Sequence, residues 1–329
     1  MRYGLASWQA AADALRNTNS VAIACHVNPD GDALGSSLAA SLALRKLGKD
    51  TQVSWGEAPL VTPASLVFLP GTDHIVPPEE MRSARTFLAV DCGAADRLGS
   101  LEDVARRSGT LVNIDHHPGN DAFGTINLVA PGASSTAELM TILLRDLGVE
   151  FDRDIATCLY TGVVTDTGRF SYANSSPDTL RLAADLLSYD VPARAIAEEV
   201  FESSPYGYLK LVGRVLERAR LLEEERLVYS WLTLADLDET GVSLSDTDKL
   251  IDLMRSTRDA DVAALFKQQP GDGYRVSLRS KGPSVGQIAR AEGGGGHDLA
   301  AGFTAADVES AVSRIRQALV SAAGAERPT

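Results

Sequence analysis

The sequence predicts an α/β protein: an N-terminal, mainly parallel sheet flanked by helices, joined to a smaller α+β domain. Three observations carry this reading. The first half alternates short apolar, β-rich runs with helical periodicities, the pattern that parallel strands and crossover helices impose. Helical segments punctuated by Pro192 and Pro205 interrupt the alternation. Strand signals restart near residue 226, and 329 residues suffice for about two domains.

Each element has its own signal. The start, Met1 to Gln9, soon becomes an amphipathic helix pattern and lacks the apolar stretch and cleavage site of a targeting signal. Residues 20–25 (Ser-Val-Ala-Ile-Ala-Cys) read as a buried strand, and 32–47 as a helix ended by Gly48. Short β-rich runs follow at 51–55, 86–90 and 110–114. Ser135-Thr136-Ala137-Glu138 has the form of a capping box that opens a helix to about Leu147. Residues 153–165, 177–188, 192–202 and 205–219 read as helices. The second half offers strands at 226–233, 261–268 and 273–279, and helices near 245–257, 284–291 and 305–322. The tail from Gly324 to Thr329 is expected to fray. Domain limits on this reading are 1–187, a helical linker at 188–206, and 207–324.

Composition excludes several classes. At 44% hydrophobic and 23% charged, the chain is not predominantly disordered, collagen-like or coiled coil. No apolar run approaches the ~18 residues of a membrane span. Cys25, Cys92 and Cys158 are too few and odd in number for a disulfide framework, which points to a cytoplasmic protein with buried thiols. A net charge of −13 repels long nucleic acid. It leaves room for a small phosphate ester held by local cations or metals.

Histidine is scarce, five in all, and four lie beside aspartates or glycines. His26-Val27-Asn28-Pro29-Asp30-Gly31-Asp32 directly follows the first strand. Ligands of open α/β sheets collect at the carboxyl ends of strands. Pro29 and Gly31 bend the chain so that His26, Asp30 and Asp32 can converge, and one imidazole with two carboxylates suits Mn²⁺ or Mg²⁺. Taken alone, the segment also reads as a polar turn with Asp32 as a helix cap. Asp91 ends the strand Phe87-Leu88-Ala89-Val90, and Asp115-His116-His117 ends Leu111-Val112-Asn113-Ile114. Asp166 closes a helix. Two carboxylates ~4 Å apart repel by about 4 kcal/mol at an effective dielectric of 20, so four of them need cations. Two divalent ions would neutralise Asp30, Asp32, Asp91 and Asp166, which favours a dinuclear hydrolytic centre. His74, after Pro70-Gly71-Thr72-Asp73, reads as a surface turn, and Ser134-Ser135-Thr136 as helix capping alone.

Together His26, Asp30-Gly31-Asp32, Asp91, Asp115-His116-His117 and Asp166 resemble the four motifs of the DHH phosphoesterase superfamily. Gly293-Gly294-Gly295-Gly296-His297-Asp298-Leu299-Ala300-Ala301-Gly302 resembles the glycine-rich signature of its DHHA1 C-terminal domain. The match runs in order along nearly the whole chain, and with this length and these two domains the chain most resembles the NrnA-type branch of bifunctional oligoribonucleases and phosphoadenosine-phosphate (PAP) phosphatases.

The resemblance implies an active site in the cleft between a DHH and a DHHA1 domain. It implies one metal on His26, Asp30 and Asp91, and a second on Asp32, Asp91, His116 and Asp166, with Asp91 bridging. Mn²⁺ is the implied ion, with Mg²⁺ or Co²⁺ as alternatives. Asp115 would orient a histidine, and His117 would face the substrate. In-line attack on phosphorus by metal-activated water is the implied chemistry. In the second domain the glycines would let backbone N–H groups approach a phosphate, beside Arg279, Ser280, Gly295, Gly296 and His297.

The implied activity is hydrolysis of short oligoribonucleotides, including linear dinucleotides such as pApA, and of PAP to AMP. A homodimer is a further expectation of the family. Three other readings stay open: a RecJ-like single-strand exonuclease, a pyrophosphatase or polyphosphatase, and a non-catalytic nucleotide sensor. The short length, the Gly293–His297 segment and the full set of matched ligand positions weigh against them in turn.

Overall fold

The computed structural model describes residues 5–325, so Met1–Gly4 and most of the tail expected to fray lie outside the described residues. The chain divides into two compact units that part between Ser203 and Ser204.

The first unit runs α1 (Leu5–Arg16), β1 (Ser20–Cys25), α2 (Gly31–Lys46), β2 (Asp50–Ser54), β3 (Thr86–Val90), α3 (Glu102–Arg106), β4 (Thr110–Asp115) and β5 (Ile126–Val129). Helices α4 (Thr136–Asp146), α5 (Arg153–Asp166), α6 (Pro177–Leu187) and α7 (Ala193–Ala197) complete it. Its five strands form an all-parallel sheet in the order β2-β1-β3-β4-β5. Alternation along the strands feeds two cores. Val21, Ile23, Cys25, Leu88, Val90, Val112 and Ile114 meet α1, α2, α4 and α5 on one face. Ala22, Ala24, Phe87, Ala89 and Leu111 meet Leu98, Leu101 and Ala105 on the other.

Helix α2 is buried along nearly its whole length. Small residues make this possible. A Cβ on Gly35 would stand 2.5 Å from the Cys158 carbonyl oxygen, and one on Gly162 would stand 2.8 Å from an Asp32 carboxylate oxygen. Glycines thus let α2, α4 and α5 close on one another, while burying Leu34 or Leu38 contributes about 1.5–3 kcal/mol each.

The second unit runs α8 (Tyr206–Glu217), β6 (Arg220–Leu222), β7 (Leu227–Leu232), α9 (Leu234–Thr240), α10 (Leu250–Arg255), β8 (Val262–Gln268), β9 (Tyr274–Ser280), α11 (Val285–Ala291), β10 (Gly295–Gly296), β11 (Ala300–Ala305) and α12 (Val308–Ala325). Its six strands lie in the order β10-β11-β9-β8-β7-β6, antiparallel except for the β7–β8 pair. Val262, Ala264, Phe266 and Leu278 pack with α11 and α12, and Val228, Leu232, Ala263 and Leu265 with α8, α9 and α10.

Several elements depart from the sequence reading. The edge strand β5 is only four residues long, and β11 is rich in alanine and glycine, so neither stands out. The helix expected at 245–257 splits into a 3₁₀ turn, Leu244–Thr247, and α10. The helix expected from 305 begins instead at Val308, because Ala305 belongs to β11. The last turn of the 192–202 helix opens into a π turn, Glu198–Glu202.

His74 is buried rather than a surface turn. Its Nδ1 lies 2.9 Å from Ser41 Oγ, which also meets Thr51 Oγ1 at 2.7 Å. A chain segment returning beside β2 brings these polar groups together, and local turn chemistry carries no trace of that. Cys25, Cys92 and Cys158 are free and buried. Among the described residues no helix is long and apolar enough to cross a membrane.

Candidate active site

Parallel pairing aligns three strand ends. Cys25 pairs with Val90, and Val90 with Ile114, so His26, Asp91 and Asp115 follow one another across three neighbouring strands. Neighbouring strands are about 4.8 Å apart, a spacing that lets side chains at the same edge meet. Asp91 takes a left-handed conformation (φ +57°) as the chain leaves β3, with its N–H bonded to the Ile114 carbonyl at 2.9 Å. Aspartate tolerates that region better than most residues.

Asp30 caps α2, its Oδ1 accepting from the N–H groups of Asp32 and Ala33 at 3.0 Å each. Asp32 lies in the first turn of the same helix and is buried. Asp166 is the last residue of α5. Asp91 is the hub. His26 Nε2 lies 3.6 Å from its Oδ2, and His116 Nε2 and His117 Nδ1 lie 3.8 and 3.7 Å from its Oδ1. His116 Nε2 is also 3.6 Å from Asp166 Oδ2.

Within the first unit, potential ligand atoms gather within 4.8 Å of one another in three sets: His26, Asp30 and Asp91; Asp32, Asp91 and His116; Asp91, Asp115 and His117. These groups could hold a metal ion. The donors are imidazoles and carboxylates with no thiolate, a chemistry that fits a hard or borderline divalent cation.

Electrostatics show why a cation suits the cluster. Burial, reinforced by the charge of Asp91, pushes the carboxyls of Asp32 and Asp166 well above the usual carboxylate range. Burial also opposes the Asp91 charge, yet the neighbouring His26, His117 and His116 hold Asp91 far below that range. Burial would lower the pKa of His117, but the hydrogen bond to Asp115 and the charge of Asp91 push it up to about 9.

Hydrogen bonds orient His26, His117, Asp32, Asp91 and Asp166. The Val27 carbonyl, 2.8 Å from His26 Nδ1, accepts that N–H and leaves Nε2 for the cluster. Asp115 Oδ1 accepts from His117 Nδ1 at 2.7 Å, which directs the His117 Nε2 away. Asp115 Oδ2 in turn accepts from Asn120 Nδ2 at 2.6 Å. The start of α4 grips Asp32: the N–H groups of Thr136 and Ala137 donate to its two oxygens at 2.7 and 2.8 Å. Thr136 Oγ1 donates to Asp91 at 2.8 Å, and Asn174 Nδ2 to Asp166 Oδ2 at 3.2 Å.

Sequence reasoning misses Thr136, Asn120 and Asn174. Thr136 reads as capping, and Ser135 does cap α4. Glu138, however, turns to the Ser134 N–H and hydroxyl at 2.9 and 2.7 Å instead of closing the box. Thr136 and Asp32 stand 104 positions apart, so only tertiary structure joins them. Asn120, three residues past the paired histidines, is the one such residue that proximity in sequence could have signalled.

In the second unit, Arg279 and Ser280 end β9. Arg279 Nη1 donates to the Leu278 carbonyl at 3.1 Å, and its Nε lies 3.5 Å from Asp252. Ser280 is buried, its hydroxyl accepting from the Gly282 N–H at 3.0 Å. Gly295 and Gly296 form β10, paired to Gly302 and Ala301. A Cβ on Gly296, whose φ is +128°, would stand 2.6 Å from the Ala300 carbonyl oxygen, so packing requires glycine there. Gly295 has open space where a Cβ would project. His297 begins the turn back, its N–H donating to Ala300 at 2.8 Å.

Comparison with known proteins matches both units. Residues 20–163 match the model of the DHH family, N-terminal domain, and residues 224–324 that of the DHHA1 domain. The chain is 36% identical over 301 residues to the bifunctional oligoribonuclease and PAP phosphatase NrnA of Thermus thermophilus, covering 90% of this chain and 88% of that one. It is 28% identical over 281 residues to the Bacillus subtilis protein of the same name, covering 84% and 86%. An exopolyphosphatase-related protein from Bacteroides fragilis superposes with a TM-score of 0.88 at 26% identity, covering 97% of each chain. With strand-end histidines and aspartates in the first unit and the glycine-rich turn in the second, the chain belongs to the DHH family and carries its DHHA1 domain.

Proposed function

We propose that the chain is a dinuclear, Mn²⁺-dependent phosphoesterase. It hydrolyses short oligoribonucleotides, linear dinucleotides such as pApA among them, to mononucleotides, and PAP to AMP. One observation carries the reading: Asp91 is common to a His26–Asp30 set and an Asp32–His116 set of ligand atoms. The activities for which the Thermus thermophilus and Bacillus subtilis relatives are named support the substrate class.

On this reading His26, Asp30 and Asp91 would hold one cation, and Asp32, Asp91, His116 and Asp166 the other. When bound, such a pair neutralises the carboxylates, polarises a phosphate and makes nearby water acidic. Asp115 fixes the His117 tautomer. With its Nδ1–H held by Asp115, His117 turns Nε2 to the substrate, and that nitrogen donates a proton to the leaving oxygen as the ester bond breaks. Thr136 and Asn174 keep Asp91 and Asp166 from swinging away. Arg279, Ser280, Gly295, Gly296 and His297 bind the nucleotide through charge-assisted and backbone hydrogen bonds. Cytoplasmic location, supported by three free buried cysteines, and a homodimer complete the proposal.

A net charge of −13 and the lack of basic runs favour short substrates. The test is kcat/KM in Mn²⁺ over an RNA ladder of about two to about twenty-four nucleotides, with pApA, PAP and pyrophosphate beside it. Efficiency should peak at roughly two to five nucleotides, because no extended stacking track is evident in a chain with so few aromatics. Efficiency that rises with length would replace this reading by a single-strand exonuclease.

A further inference from the structure

The strand-end cluster consists of lone-pair donors: carboxylates and imidazoles that hold cations. Apart from His117, those groups offer an incoming phosphate few hydrogen-bond donors. Arg97 supplies another. It lies on the loop that leaves Asp91, within a 3₁₀ segment, Ala95–Leu101, and its side chain is exposed. Its carbonyl accepts from the Val27 N–H at 2.9 Å, which pins this loop against the segment following His26. Gly99 makes the approach close: its φ is +56°, and a Cβ there would stand 2.7 Å from the Val27 side chain.

The guanidinium Nη2 lies 3.2 Å from His26 Nδ1 and 3.4 Å from the Val27 carbonyl oxygen. Because the His26 Nδ1–H is directed at that same carbonyl, the ring offers Nη2 no lone pair. Arg97 therefore shares one carbonyl at the long edge of hydrogen bonding. Among the described residues, no carboxylate forms an ion pair with it, whereas many arginines of this chain have one. A planar cation held beside the cluster without a carboxylate partner suits an anion that arrives from solution.

We propose that Arg97 is a substrate-binding residue that clasps a phosphate oxygen of the nucleotide on the His26 side of the centre. This rests on the phosphoesterase reading for the identity of the substrate. The contact is non-covalent, a charge-assisted hydrogen bond from the fork to a non-bridging oxygen.

Arg97→Ala and Arg97→Lys test it in the full-length, Mn²⁺-loaded protein. The measurements are Mn²⁺ per chain, melting temperature, KM and kcat on pApA, and calorimetric Kd for AMP and for inorganic phosphate. Arg97→Ala should raise KM and both Kd values about 10–100-fold, the loss expected for a hydrogen bond to a charged group. Arg97→Lys should recover part of it, with metal content and melting temperature unchanged. Unchanged Kd for AMP and phosphate overturns the proposal. So does a loss of Mn²⁺ with KM preserved, which would make Arg97 a prop for the His26 segment. Arg97-dependent phosphate binding without hydrolysis of pApA would uphold the contact and sink the substrate reading instead.

Discussion

Thr136 donates its hydroxyl to Asp91 Oδ1 at 2.8 Å and its backbone N–H to Asp32 Oδ2 at 2.7 Å. One residue at the start of α4 thus ties a strand-end carboxylate to a carboxylate on α2. Each bond restrains an oxygen that would otherwise recoil from its neighbour, since like charges in a buried site repel strongly. Thr136→Ala should weaken Mn²⁺ binding about 10–100-fold, the usual cost of losing a group that orients a ligand. Thr136→Ser should restore it. A metal titration with identical affinity for all three proteins would show that the backbone bond alone suffices.

Asp91→Ala should strip the centre of metal and abolish both activities, because two sets of ligand atoms share that side chain. Asp91→Asn provides the control for folding, as asparagine tolerates the left-handed backbone at this position. Elemental analysis reads the outcome. Two tightly bound Mn²⁺ per chain in the alanine variant would remove Asp91 from its bridging role.

The metal-free protein should lose stability between about pH 6.5 and 9. His117 titrates at about 9 when folded, against about 6.5 for a free imidazole. Its contribution is therefore complete below pH 6.5 and lost as pH rises through 9, a difference on the order of 3 kcal/mol. The raised carboxyls of Asp32 and Asp166 act in the same direction, since their ionisation inside the fold is costly. Metal loading should flatten the slope, because cations take the place of the protons. Urea denaturation with and without chelator tests this; a level profile in chelator would refute it.

Arg279→Ala should raise KM about 10–100-fold while leaving metal content alone, as loss of a charge-assisted hydrogen bond takes about 1.5–3 kcal/mol. The Leu278 carbonyl and Asp252 hold the guanidinium at the end of β9. An unchanged KM for every nucleotide would exclude Arg279 from substrate binding.

Asp236→Ala should destabilise the second unit by about 2–3 kcal/mol, as expected when a mostly buried charge pair and a helix cap are lost together. The carboxylate accepts from both terminal nitrogens of Arg218, from Nη2 at 2.7 Å, and from the N–H and hydroxyl of Thr233 at 2.9 and 2.8 Å. The Arg218 guanidinium, with those bonds, holds the Asp236 carboxyl well below the usual range despite burial. This stabilisation is present above about pH 4 and disappears as pH falls through the folded pKa. Chemical denaturation at neutral pH should separate variant from wild type, and equal midpoints would contradict the assignment.

Much of the fold is legible in the amino-acid sequence. Runs such as Val21-Ala22-Ile23-Ala24-Cys25 and Phe87-Leu88-Ala89-Val90 are apolar throughout because parallel strands are covered on both faces, and they appear as β1 and β3. Elements of weak or divided character escape the reading. β11, built from Ala-Ala-Gly-Phe-Thr-Ala, is a strand because β9 pairs with it along six residues, not because its composition asks for one.

The sequence by itself determined the chemical types at the site and the strand ends that carry them: His26, Asp91 and Asp115-His116-His117 each follow an apolar run, and that adjacency is local. Tertiary structure alone decided what orients them. Thr136 reaches Asp32 across 104 residues, Asn174 reaches Asp166 around a turn, and Arg97 comes beside His26 from 71 residues away. A hydrogen bond depends on a few tenths of an ångström and on angle, and those are set by how α2, α4 and α5 close on Gly35 and Gly162 and by how the Arg97 loop closes on Val27 at Gly99. No periodicity or spacing in the chain encodes that closure.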